Sequence, residues 1–140
     1  MLTNRAIAEY SDVNVISGIS TSNGIELIGL LFEGLSESLS LIKCHIVHGS
    51  IELKTKYINR ANGILFGLID ALDLENGGDL AIKLQDLYLY MIKKINQVNL
   101  NNDSKSVDEI QLLLNDIHQA WKEVPFLLQE NKKPNLKVIN

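Results

Sequence analysis

Ser106-Val107-Asp108-Glu109-Ile110-Gln111-Leu112-Leu113-Leu114-Asn115-Asp116-Ile117-His118-Gln119-Ala120-Trp121-Lys122-Glu123-Val124-Pro125-Phe126-Leu127-Leu128 is the stretch that decides the fold. Its apolar positions Val107, Ile110, Leu114, Ile117, Trp121, Val124 and Leu128 advance by alternating steps of three and four. That spacing lays side chains along one face of an α-helix. Ser106-Val107-Asp108-Glu109 has the spacing of a capping box, in which a hydroxyl and a carboxylate three residues on satisfy amides left free by the first turn.

The same period recurs upstream. Leu80, Leu84, Leu87, Met91, Ile95 and Val98 mark a helix that ends at the turn-forming run Asn101-Asn102-Asp103-Ser104. Ile51, Ile58, Ala61, Leu65, Leu68 and Leu72 mark another, over roughly 50 to 74, with the polar Lys54 in the one gap of the spacing. Glu75-Asn76-Gly77-Gly78 follows, and its glycines suit the left-handed turn of a helix C-terminus. Ile25, Ile28, Leu31, Leu35, Leu39, Ile42 and Ile46 define a first helix at about 24 to 47. The two prolines, Pro125 and Pro134, both lie near the carboxyl end, so no missing amide interrupts the earlier helices. Four amphipathic segments joined by short loops predict an all-α, antiparallel up-down four-helix bundle. The chain reads as one domain over 1–140: an amino-terminal segment at 1–20, the bundle at 24–128, and a polar, frayed tail at 129–140.

Composition narrows the function. The 140 residues are 46% hydrophobic and 21% charged, enough for one real core. Thirteen basic against seventeen acidic residues give a net charge of −4, which leaves no electrostatic footprint for nucleic acid. The one cysteine, Cys44, makes no internal disulfide and no paired-cysteine metal site, which suits a reducing compartment. Arg5 and Glu9 interrupt what a signal peptide needs to be apolar, and no apolar run is long enough for membrane insertion. The expectation is a soluble, cytosolic protein.

No catalytic constellation emerges. A di-iron bundle needs Glu-x-x-His pairs, and none occurs. Cys44, His45 and His48 read as a solvated helix end where histidine favours the dipole, rather than a metal site. Ser40 and Lys43 lack the companion motifs of Ser-x-x-Lys enzymes, Gly77-Gly78 has no phosphate-loop context, and Asp70 and Asp73 read as solvated acids. The expectation is no enzyme, no metal and no cofactor. What exceeds the needs of a bundle seam is apolar surface: Leu113, Ala120 and Leu127 beside the last stripe, Leu89 and Ile92 beside the third. Tyr88 and Tyr90 add rings with polar tips, and Tyr57, Ile64 and Phe66 stand off the second stripe. These residues serve either a thick core or a groove that accepts amphipathic partner helices. Ile7 and Tyr10, three apart and followed by Val13, Val15 and Ile16, suit a short amphipathic helix lying over an apolar patch.

Several strings together resemble the flagellar secretion chaperones, the FliS family. Glu26-Leu27-Ile28-Gly29-Leu30-Leu31-Phe32-Glu33-Gly34 is similar to that family's first-helix segment, and Ile58-Asn59-Arg60-Ala61 to a second. Leu72-Asp73, Gly77-Gly78, Leu84 and Leu87-Tyr88-Leu89-Tyr90-Met91 follow the family's pattern in order and spacing, with Lys83 where asparagine is frequent. Val98-Asn99 and Ala120-Trp121 extend the likeness to cover about Tyr10 to Val124. Asn23-Gly24 stands where the family usually has Ser-Pro, which implies a looser helix start.

The resemblance implies a cytosolic, non-enzymatic export chaperone. Such a protein binds the disordered carboxyl-terminal segment of flagellin, prevents premature polymerisation and delivers its client to the flagellar type III export apparatus. It also implies that the amino-terminal segment covers an apolar groove and takes part in docking at the export gate, which makes Ile7 and Tyr10 a displaceable lid. The expected partner-binding residues are therefore Ile7, Tyr10, Tyr57, Ile64, Phe66, Leu89, Ile92, Leu113 and Leu127. The competing reading is a generic interaction bundle that buries Ile92, Leu113 and Leu127 in a weak homodimer.

Overall fold

Each apolar stripe becomes a helix. The computed structural model describes the backbone of residues 22–138 and the side chains of residues 24–123. Helix α1 spans Ser22–His48, α2 Ile51–Asp70, α3 Gly78–Asn101 and α4 Ser104–Val138, and no strand occurs among the described residues. Each helix packs on two neighbours: α1 touches α2 and α4, and α3 touches the same two. Near one end of the α1–α4 seam Lys43 Nζ lies 2.6 Å from Asp108 Oδ1, and near the other Trp121 Nε1 donates to the Ile25 carbonyl at 2.9 Å. The α2 start meets the α3 end through Lys54 and Asn102, 2.7 Å apart. The result is an up-down four-helix bundle.

The core follows the stripes. Phe32, Leu35, Leu39 and Ile42 come from α1, Ile58, Ala61, Leu65 and Leu68 from α2, Tyr88, Met91, Ile95 and Val98 from α3, and Val107, Ile110 and Leu114 from α4. Lys54, the polar residue in the second stripe, is buried there. Its ammonium donates to the Asn99 carbonyl at 3.1 Å and to Asn102 Oδ1 at 2.7 Å, placing a cation at the negative end of α3. Asn102 takes the left-handed conformation at that end, φ 54°.

Two helix boundaries differ from the sequence expectation, both because a side-chain carboxylate organises the turn. Helix α2 stops at Asp70 instead of running to 74, and Gly77-Gly78 does not cap it. Asp73 builds the intervening turn: its carboxylate accepts from the Asn76 amide at 3.0 Å and from Asn76 Nδ2 at 2.9 Å. Those bonds, the backbone one foremost, hold the Asp73 carboxyl below its usual range. The Gly77 amide then donates to the Asp73 carbonyl at 2.7 Å, Gly77 becomes the N-cap of α3, and Gly78 follows at φ 59°.

The second difference is at α4. The capping group is Asp103, not Ser106: Asp103 Oδ1 accepts from the Lys105 amide at 3.1 Å, and Oδ2 from the Ser106 hydroxyl at 2.8 Å. Ser106 is drawn inside the first turn, its hydroxyl holding the Asp103 carboxyl below its usual range. Glu109, expected to close the box, instead accepts from the Tyr90 hydroxyl at 2.5 Å and lies 3.4 Å from Lys94 Nζ. Past Leu128, where the apolar period ends, the α4 backbone continues as helix to Val138.

Gly77 leaves no room for a side chain. A Cβ there would lie 2.5 Å from the Asp73 carbonyl oxygen and 2.6 Å from the Ala81 Cβ. Backbone cannot move aside as a flexible side chain can, so Gly77→Ala is expected to lose about 2 kcal/mol. Urea unfolding of the variant checks this; an unchanged midpoint would show that the α2–α3 turn relaxes freely.

Candidate functional site

Two apolar surfaces lie on opposite sides of the ring of helices, because the α2–α3 and α1–α4 seams do not share a helix. On the α2–α3 side, Asn62 Nδ2 and Asn96 Oδ1 meet at 3.4 Å. That register sets Phe66, one turn further along α2, opposite Ile92 and Leu89. Phe66 is 46% exposed and Leu89 47%, while Ile92 packs partly against the core. Both therefore carry apolar surface beyond what the bundle itself buries.

On the α1–α4 side a groove of about 450 Å³ runs over Ile25, Gly29, Leu30, His118 and Trp121. A Cβ on Gly29 would meet nothing within 4 Å, so the glycine is not required by packing within the bundle. Leu30 is 60% exposed. Beneath, Phe32 supports the floor, its ring 5.7 Å from that of His118 and 5.9 Å, edge-on, from that of Trp121. Glu26 and Glu33 line one side and Lys122 the other.

The residues singled out from sequence divide accordingly. Phe66 and Leu89 come together on one face. Ile92 and Leu113 are partly buried against the core. Ile64 is a core residue, its Cδ1 3.4 Å from where a Gly34 Cβ would stand, so it is not free to meet a partner. Tyr57 is half-buried with its ring stacked on His45, centroids 5.6 Å apart. Ile7 and Tyr10 lie outside the described residues, and the Leu127 side chain lies outside those described. Tyr88 is buried, and burial pushes its hydroxyl above the usual range, whereas Tyr90 is exposed and raised by its bond to Glu109. The groove residues Gly29, Leu30, His118 and Trp121 were not anticipated as a surface. The available signal was a glycine inside a strong helix next to a leucine off the stripe.

Among the described residues no three His, Cys, Asp or Glu side chains come together to hold a metal ion, and Cys44 is exposed. No described helix is long and apolar enough to cross a membrane. What the geometry offers is contact surface.

Comparison with known proteins agrees. The family model described as flagellar protein FliS matches residues 6–126. The flagellar secretion chaperone FliS of Salmonella typhimurium is 34% identical over 125 residues, covering 89% of this chain and 93% of its own. The chaperone FliSB of Pseudomonas aeruginosa is 36% identical over 121 residues, covering 86% and 96%. That of Vibrio cholerae is 30% identical over 120 residues, covering 86% and 88%. With the four-helix bundle, its open apolar faces and likeness along nearly its whole length, the chain belongs to the FliS family.

Proposed function

We propose that this protein is a cytosolic export chaperone that holds the carboxyl-terminal segment of flagellin, keeps it from polymerising early and passes it to the flagellar export apparatus. The observation that carries the reading is the pair of apolar surfaces on opposite sides of one small bundle, in a chain of this family. A rigid globular partner reaches one side at a time, whereas a segment without fixed structure wraps both. Ordering that segment costs free energy, so the complex stays reversible despite a large contact area. Release then needs no nucleotide hydrolysis, and the protein acts without catalysis. Residues 1–20, with Ile7 and Tyr10, serve as a displaceable cover and as part of the contact with the export gate. The self-associating bundle is the weaker reading, since Ile92 and Leu113 already pack on the protein's own core.

Calorimetric titration with the flagellin carboxyl-terminal segment from the same source, followed by circular dichroism of the mixture, tests the reading. Binding with helix beyond the sum of the parts is expected. Absence of heat and of added helix would return the apolar faces to self-association, seen as a concentration-dependent mass in sedimentation.

A further inference from the structure

Two glycines in the body of α1 differ in what surrounds them. A Cβ on Gly34 would stand 3.4 Å from Ile64 Cδ1 and 3.7 Å from the Arg60 guanidinium, so Gly34 serves the close approach of α2. A Cβ on Gly29 would meet nothing within 4 Å, although glycine inside a helix is less stable than alanine. The bundle itself gives no reason for Gly29. Helical spacing puts Gly29 in one row with Ile25 along the bottom of the α1–α4 groove, and Glu26, Leu30 and Glu33 in the row that forms its α1 rim. Where Ile25 fills the bottom, Gly29 leaves a notch, bordered by the exposed Leu30 and by the rings of His118 and Trp121. Trp121 is held by its bond to the Ile25 carbonyl and does not swing in to close it.

We propose that the notch over Gly29 receives one large apolar side chain from a helix of the flagellin carboxyl-terminal segment, and that Glu26 and Glu33 draw Lys or Arg on one edge of that helix; this rests on the export-chaperone reading. The charges of the groove argue for such an occupant. Glu26 and Glu33 stand two turns apart with exposed side chains on one rim, Lys122 stands on the other, and none of the three is ion-paired among the described residues. An apolar bottom between an acidic rim and a basic one matches an amphipathic helix with a basic edge and an acidic edge. The exposed rim charges set the direction in which that helix lies, whereas the notch sets which residue sits at the centre of the contact. A Cβ at position 29 would take up this room, so the side chain that Gly29 lacks is the specificity determinant. A smooth apolar groove would let the client slip by one turn.

The test titrates the full chain, native and with Gly29→Ala or Gly29→Leu, with the flagellin carboxyl-terminal segment. Gly29→Ala is expected to raise the melting temperature by about 2–6 °C while weakening binding by on the order of tenfold, and Gly29→Leu to weaken it by on the order of 100-fold. The opposite signs separate a notch kept for a partner from a glycine that the bundle needs. Segment variants with each large apolar residue replaced by Ala in turn identify the side chain that enters: one replacement is expected to cost the native chain on the order of tenfold and the Gly29→Leu chain much less. Glu26→Lys/Glu33→Lys is expected to weaken binding by on the order of tenfold at low salt and by less at high salt. Unchanged affinity in both glycine variants, a lower melting temperature in Gly29→Ala, or indifference to the charge reversal overturns the proposal alone. Tighter binding by Gly29→Leu would give the notch to residues 1–20 of the chain and overturn it as well. Failure of the unaltered segment to bind the native chain overturns the export-chaperone reading together with it.

Discussion

Phe32→Ala is expected to lower the stability of the bundle by about 3–5 kcal/mol, the range for truncating a fully buried aromatic side chain. Phe32 has no exposed surface and carries the rings of His118 and Trp121 across the α1–α4 seam. Its loss removes apolar burial and leaves a void that Trp121, fixed by its bond to the Ile25 carbonyl, cannot fill without breaking that bond. At roughly 3–6 °C per kcal/mol for a chain of this size, the melting temperature should fall by about 10–30 °C. Trp121 is the only tryptophan, so its fluorescence follows the seam directly. A loss below about 1 kcal/mol would mean that α1 and α4 close over the gap.

Phe66→Asp together with Leu89→Asp is expected to weaken binding of the flagellin segment by on the order of 100- to 1,000-fold while lowering the melting temperature by only about 5–10 °C. Each side chain is about half exposed, so the free bundle loses only about 1 kcal/mol per residue. On the proposed reading both become central anchors in the complex, each worth about 2 kcal/mol or more, and a carboxylate in that position must be desolvated without a partner. Titration calorimetry and thermal melting, run on the same preparations, separate the two effects. Unaltered affinity would move the client off the α2–α3 face, and a large drop in melting temperature would assign both residues to the fold.

The heart of the bundle is legible in the sequence because burial repeats with the helical period. Leu35, Leu39 and Ile42, or Ile110 and Leu114, lie where their spacing puts them. Helix ends are less legible, since they depend on which side chain reaches a free amide first. Asp73 and Asp103 win those contests through contacts of about one turn, which apolar spacing does not register. Ile64 was misplaced for another reason: α2 packs on both α1 and α3, so its buried face is wider than one stripe. Phe66 and Leu89 stood out as surplus apolar residues, but their meeting depends on the relative register of two helices. The α1–α4 groove was hidden for the same reason, being formed between segments far apart in the chain.

That separation bears on the order in which the molecule assembles. Three of its four seams join helices consecutive in sequence, so they close over short loops, and only the α1–α4 seam must bring distant parts of the chain together. Loop-closure entropy makes that joint the slowest to form, while the largely local remainder suits rapid folding. Lys43 with Asp108, and Trp121 with Ile25, are the clasps that complete it. The groove over Gly29 thus comes into being only when the fourth helix docks, so a nascent chaperone cannot offer this surface to a client before that helix has been made.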